Sequence, residues 1–213
     1  NPDNPTGNYI CKKEILKLIE WAKQKEVNIV IDESFVDFAN EEDSTLIDQE
    51  ILVENKQLYV VKSISKSYGV PGLRLGVLAS GDIKFINKLK KDVAIWNINS
   101  FGEFYMQIYE KYKTDYIEAL KQIRKEREYL QNELSKISGI HVIPSQANYI
   151  MIELINGKTA KELTKIMLLK HNLFVKDLST KIKGKQYLRI AVRNREDNDK
   201  IINAMKNQQT RIK

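Results

Sequence analysis

Residues 58–80 read LYVVKSISKSYGVPGLRLGVLAS. The stretch opens on an apolar run, Leu58 to Lys62, of the kind that forms a short buried strand. It closes on another, Leu73 to Ala79. Between them Gly69, Pro71, Gly72 and Gly76 keep the backbone tight. Ser63, Ser65 and Ser67 supply hydroxyls around a single lysine, Lys66, and Arg74 follows. A lysine in a partly buried, cationic neighbourhood has a lowered pKa and can act as an amine nucleophile. Serine hydroxyls and an arginine fork suit a phosphate. Taken alone, such a turn could bind any anion.

Working outward, residues 12–26 place Ile15, Leu16, Leu18, Ile19 and Ala22 at helical spacing, and Asn28 to Asp32 (NIVID) reads as a strand ending on an acid. Strands separated by helix-length segments predict an α/β fold with a mostly parallel sheet and crossover helices. Residues 82–91 are expected to be helical. A long helical stretch, with room for a bend, is expected from about residue 101 to 137, where Gly139 supplies a stop signal. IHVI, NYIMIEL, a helix near 159–171, LFVK, QYLRIAV and a last helix from about Glu196 then read as an α+β unit with a small sheet. The boundary is expected inside the long helix, giving domains 1–115 and 116–213.

Composition narrows the function classes. With 42% hydrophobic and 30% charged residues, the chain has the balance of a globular protein. No run approaches the length a membrane helix needs, and no signal peptide is visible. A single cysteine, Cys11, excludes an internal disulfide and fits a reducing, cytoplasmic setting. Two histidines, His141 and His171, without a Cys/His cluster predict no metal site. The formal charge of +7 is spread along the chain and alternates with Glu and Asp. That reads as solvated helix faces rather than a nucleic-acid surface.

Three more segments carry chemistry. NPDNPTG, Asn1–Gly7, is a rigid loop that would hold an asparagine amide, Asn4, in a set place; alone, it is also simply a turn. IDESF, Ile31–Phe35, puts Asp32 at the C-terminal end of a parallel strand, where α/β proteins bind ligands. A buried carboxylate there needs a cation, though Asp32 could equally cap a helix. YLRIAV, Tyr187–Val192, interrupts an apolar strand with Arg189. A buried guanidinium wants a carboxylate, from a substrate or from an internal acid.

In this order the four segments resemble the pattern of fold-type I pyridoxal-phosphate (PLP) enzymes of the class I/II aminotransferase superfamily. That pattern is NPxNPTG, then D-E-x-[YF], then S-x-S-K-x-x-G-x-x-G-x-R-x-G, then a late arginine on a small-domain strand. The resemblance covers essentially the whole chain. It implies the C-terminal part of the large PLP-binding domain followed by the small domain. It implies transfer of an amino group between an amino acid and a 2-oxo acid, in a homodimer. Lys66 would hold the cofactor covalently and move the proton at the substrate α-carbon. Asp32 would pair with the pyridine nitrogen, and Asn4 would bond the cofactor's phenolic oxygen near the substrate carboxylate. Ser63 and Arg74, with Ser65 as a weaker candidate, would bind the cofactor phosphate. Arg189 would bind the substrate α-carboxylate.

Phe35 departs from the tyrosine of many relatives and has no hydroxyl for the cofactor oxygen. DESFVDF resembles the DEAFxDF of threonine-phosphate decarboxylases, which share the histidinol-phosphate aminotransferase-like scaffold. Decarboxylation therefore stands beside transamination. SYGVPGLRLGVLAS, WNINSF and RIAVRNREDN also resemble the aminotransferase-like halves of bifunctional bacterial proteins with an N-terminal nucleotidyltransferase. WNINSF, Trp96–Phe101, corresponds to a region near the dimer interface in relatives, though Trp96 could equally pack in a core. Asn1 already lies inside a site loop, so the sequence reads as a fragment. The phosphate-binding loop and stacking ring expected upstream are not in it, and by itself it would be inactive or an assembly module.

Overall fold

The computed structural model describes residues 1–155 and 157–208. They divide into two compact units. The first comprises Asn1–Pro2 and Tyr9–Leu120, the second Asp3–Asn8 and the chain from Lys121 onward.

In the first unit, α1 (Lys12–Gln24) buries Ile15, Ile19 and Ala22 along one stripe. The strand β1 (Ile29–Asp32) follows. The helix α2 (Gln49–Glu54) is capped by Asp48, whose carboxylate accepts from the Glu50 and Ile51 amides. Next come β2 (Leu58–Ser63), the one-turn α3 (Ile64–Ser67), β3 (Gly76–Ser80) and α4 (Ile83–Asp92). The sheet order is β1-β2-β3. β1 and β2 run parallel, with Ile31 opposite Val60, and α1, β1 and β2 bury a common core of Ile15, Ile19, Ile31, Leu58 and Val60. β3 returns antiparallel to β2. The link between them holds only α3 and a 3-10 turn at Pro71–Leu73, with no crossover helix to carry the chain back for a parallel strand.

The long helical stretch is divided: α5 (Ser100–Ile108), a 3-10 turn at Tyr109–Tyr112, then α6 (Lys113–Ser135). Asn99 caps α5 by accepting from the Gly102 amide, and its own amide donates to the Leu73 carbonyl at 2.9 Å.

The second unit is an antiparallel sheet with helices. β4 (Ile140–Ile143), β5 (Tyr149–Leu154), α7 (Ala160–His171), β6 (Lys176–Asp177), β7 (Tyr187–Ala191) and α8 (Arg195–Asn207) follow in order, and the sheet order is β4-β5-β7-β6. The Thr159–Glu162 capping box starts α7. β5 is buried along nearly its whole length, which explains its continuous apolar reading. Its core neighbours include Leu130 and Leu134 of α6, Leu188 and Ile190 of β7, and Met205 of α8.

One polar clamp sits in this core. Glu126 on α6 is 2% exposed. It accepts twice from Arg195, at 3.0 and 3.1 Å, and once from Asn198 at 3.1 Å. The Arg195 guanidinium lies 3.5 Å from the Tyr129 ring centroid. Truncating Glu126 removes the carboxylate partner of Arg195 and one of the two acceptors of the buried Asn198 amide, whose bond to the Arg193 carbonyl remains. Glu126→Ala should lower the unfolding free energy by about 2–3 kcal/mol, read from the midpoint of urea denaturation.

Candidate functional site

In the first unit, β1 and β2 run parallel and end side by side, with Asp32 opposite Val61. The chain turns sharply after each. Asp32 Oδ1 accepts from the Ser34 amide at 2.9 Å, an Asx turn. The Ser34 hydroxyl in turn accepts from the Ser63 amide at 3.1 Å. Asp32, Ser63, Ser65 and Arg74 line one open concavity of about 500 Å³, together with Ser34, Val61, Lys62 and Leu75–Leu78. Ser65 is buried. Arg74 takes a left-handed conformation, φ 56°, after the Pro71–Leu73 turn, and β3 begins at Gly76 rather than at Leu73.

Two expectations about burial are corrected. Asp32 is exposed, and the buried acid is its neighbour Glu33, 1% exposed. Side chains alternate across a strand. With Ile31 facing the core, Asp32 points away and Glu33 points in. Glu33 accepts from the Thr45 hydroxyl and the Leu46 amide, both at 2.6 Å, and so ties down the loop after β1. Lys66 is also exposed, not partly buried. It stands on α3 with its amine 6.0 Å from the Phe35 ring centroid. Among the described residues that amine makes no hydrogen bond or ion pair.

In the second unit, the Arg189 guanidinium donates to Asn4 Oδ1 at 2.7 Å and lies 5.0 Å from the Tyr149 ring centroid. No carboxylate among the described residues pairs with Arg189, so the internal-acid alternative is not realised there. The Lys181 amine donates to the Asn4 carbonyl at 3.1 Å, and the Tyr149 hydroxyl donates to the Asp3 carbonyl at 2.8 Å. Burial raises the Tyr149 phenol well above its ordinary range, with the Arg189 charge partly opposing. At Gly7, φ 75°, a Cβ would overlap Ser145, so this loop position requires glycine.

Of the residues singled out from sequence, Asp32, Ser63, Ser65 and Arg74 meet around one concavity, and Asn4 and Arg189 are bonded to one another. The two sets belong to different units. Sequence reasoning passed over Glu33, Asp37, Tyr149 and Lys181. The first two lie inside the quoted DESFVDF segment, and Tyr149 opens the NYIMIEL strand. Lys181 sits in a lysine-rich loop that offers no local signal.

The concavity offers hydroxyls and a guanidinium for a phosphate, and an acid at a strand end for a protonated ring nitrogen. An amine stands on the adjoining turn. This donor set fits PLP. The family model for aminotransferase class I and II matches residues 1–205. The chain is 33% identical to an L-serine phosphate decarboxylase from Sulfurospirillum multivorans, over 97% of its own length and 53% of the relative's. It is 31% identical to the CMP-5'-(3-aminopropyl)phosphonate synthase of Streptomyces rubellomurinus, over 96% of its own length and 32% of the relative's. The crystal structure of a histidinol-phosphate aminotransferase from Clostridium acetobutylicum superposes with a TM-score of 0.88 at 28% identity, covering 100% of this chain and 63% of the other. The chain thus spans about half or less of the length of the two relatives matched by sequence. Its residues 1–205 nonetheless match throughout, and the chain belongs to the class I and II aminotransferase family, whose enzymes work with PLP.

Proposed function

We propose that this chain is the lysine-bearing part of a PLP-dependent aminotransferase that moves an amino group between an amino acid and a 2-oxo acid. One observation carries this reading: Asp32, Ser63, Ser65 and Arg74 line a single concavity beside the turn that holds Lys66. PLP, when bound, supplies an electron sink for the substrate α-carbon. Lys66 would hold the cofactor through its amine and would move the proton at that carbon. Asp32 would pair with the ring nitrogen and favour its protonated form. Ser63 and Arg74 would bind the cofactor phosphate, with Ser65 a weaker candidate. By the family resemblance, the Asn4 amide would bond the cofactor's ring oxygen, and Arg189 would take the substrate α-carboxylate. The names of the relatives support a substrate that bears a phosphate or phosphonate.

A second reading, decarboxylation, is favoured by Phe35, which offers the cofactor no hydroxyl, and by the serine-phosphate decarboxylase relative. The two readings separate cleanly in one experiment. The full-length protein is incubated with phosphoserine and 2-oxoglutarate, and glutamate and carbon dioxide are both measured. Transamination yields glutamate in step with substrate loss and no carbon dioxide. Carbon dioxide release without consumption of the 2-oxo acid selects the decarboxylase. Neither product from any amino acid, when the 213 residues are assayed by themselves, supports the third reading, an inert or assembly-only module.

The proposal extends to a cytoplasmic homodimer whose large domain runs to about residue 115. Ile95 and Trp96 are 91% exposed and Phe101 78%, an apolar surface that supports a subunit contact around WNINSF. No helix among the described residues is long and apolar enough to cross a membrane. Fusion to an N-terminal nucleotidyltransferase is proposed on the sequence resemblance of SYGVPGLRLGVLAS, WNINSF and RIAVRNREDN alone.

A further inference from the structure

We propose that Asp37 is a positioning residue for Lys66, its carboxylate clamping the turn that carries the lysine on both sides. The inference rests on the reading that Lys66 holds PLP. Asp37 lies in the 3-10 turn Val36–Phe38 that follows β1. One of its oxygens pairs with the Lys62 amine at 2.6 Å, and the other accepts from the Ser67 hydroxyl at 2.6 Å. Lys62 belongs to the end of β2, and Ser67 is the last residue of α3. The two anchors therefore bracket Lys66 along the chain.

The clamp has the character of a rigid support. The side chains of Lys62 and Asp37 are only 11% and 16% exposed, so salt and water screen them less than a surface pair. Their hydrogen bonds are charge-assisted and directional. Two backbone contacts hold the start of the same turn: the Ser63 amide donates to Ser34 Oγ at 3.1 Å, and the Ile64 amide to the Leu75 carbonyl at 3.1 Å. Just past the turn, the Tyr68 ring stacks on Tyr116 with centroids 4.4 Å apart and planes 10° apart. The Lys66 amine is bonded to nothing among the described residues. The backbone is pinned while the amine is left to engage a ligand.

A helix of one turn has no cooperative stability of its own. The direction in which Lys66 leaves α3 must be set from outside it. Among the described residues, the Asp37 side chain grips both ends of the Lys62–Ser67 segment. A displacement of about 1 Å in a reacting group costs on the order of 10²-fold in rate, so loss of the clamp should show directly in the reactivity of Lys66.

The test uses the full-length protein, stripped of cofactor and mixed with PLP. Borohydride quenching at intervals, followed by peptide mass analysis, gives the rate at which PLP is captured on Lys66. A pH titration of the visible absorbance reports the setting of the captured cofactor. Asp37→Ala should slow capture by about tenfold or more and move the titration midpoint. Ser67→Ala, which removes one anchor, should slow it less, by roughly threefold. Asp37→Glu, which keeps the charge, should recover part of the rate. Capture by both Asp37→Ala and Ser67→Ala at the wild-type rate, with an unmoved midpoint, overturns the proposal. Should Asp37→Ala not fold, a wild-type capture rate in Ser67→Ala overturns it alone. Wild-type protein that is never labelled at Lys66 overturns the PLP reading itself, a result distinct from normal labelling in the variants.

Discussion

Lys66→Ala in the full-length protein should reduce turnover by roughly 10⁴-fold, because it removes both the covalent anchor and the proton carrier. The same substitution should leave folding nearly unchanged. Lys66 is exposed on α3, and its amine makes no hydrogen bond or ion pair among the described residues. A surface substitution of that kind shifts stability by about 0.5 kcal/mol or less. Lys66→Arg sharpens the comparison. It keeps the positive charge, but a guanidinium stays protonated and cannot serve as an amine nucleophile. Steady-state assays beside thermal melting of the cofactor-free protein measure both halves. Turnover that survives Lys66→Ala removes the lysine from its assigned role. Turnover lost together with a collapsed melting transition would mean that Lys66 matters for folding, contrary to its surroundings.

Arg189→Met should lower kcat/KM for an amino acid by on the order of 10²-fold, most of it through a higher KM. Arg189 is the central cation of β7, paired in register with Met151 on β5 and with Lys176 on β6. Its one hydrogen-bond partner among the described residues is the neutral Asn4 amide, at 2.7 Å. A guanidinium bonded to a neutral oxygen retains its full charge and further donors for a carboxylate. Arg189→Lys should recover only part of the loss, since a lysine cannot form the two-pronged contact. The decisive comparison is an amine substrate without a carboxylate. Equal losses for that amine and for the amino acid would show that Arg189 acts by shaping the small domain and not by binding the carboxylate.

Much of the fold was legible because local pattern and tertiary environment agree. IVID, LYVVKS, YIMIEL and YLRIA are apolar runs bounded by turns or acids, and each is a strand. Where the two levels part, the reading slipped. The strand expected from Leu73 begins at Gly76, because Pro71 starts a 3-10 turn and Arg74 then takes a left-handed conformation. Composition does not encode that sequence of dihedral angles. The helical stretch expected from residue 101 to 137, with room for a bend, is interrupted by a 3-10 turn at Tyr109–Tyr112, a place that nothing in YEKY marks. At the site, Asp32 and Glu33 are adjacent acids, and only strand parity decides which one is buried. The pairing of Asn4 with Arg189 followed from neither motif alone. The contact of Lys181 with the same asparagine joins residues separated by 177 positions, a distance no local pattern can report.

The loop that presents Asn4 has one more property, which concerns chemical ageing. An asparagine turns into aspartate when the backbone nitrogen of the next residue attacks its side-chain amide and closes a ring. That attack needs a nitrogen that carries a proton. Asn1 is followed by Pro2 and Asn4 by Pro5, and proline nitrogen has none. The amide that meets Arg189 is therefore protected from the commonest route by which a protein acquires an unplanned negative charge. Were it lost, a carboxylate would sit on the guanidinium as a permanent occupant and compete with every acid the protein tried to bind. The prolines that make the loop rigid also close that route at Asn4.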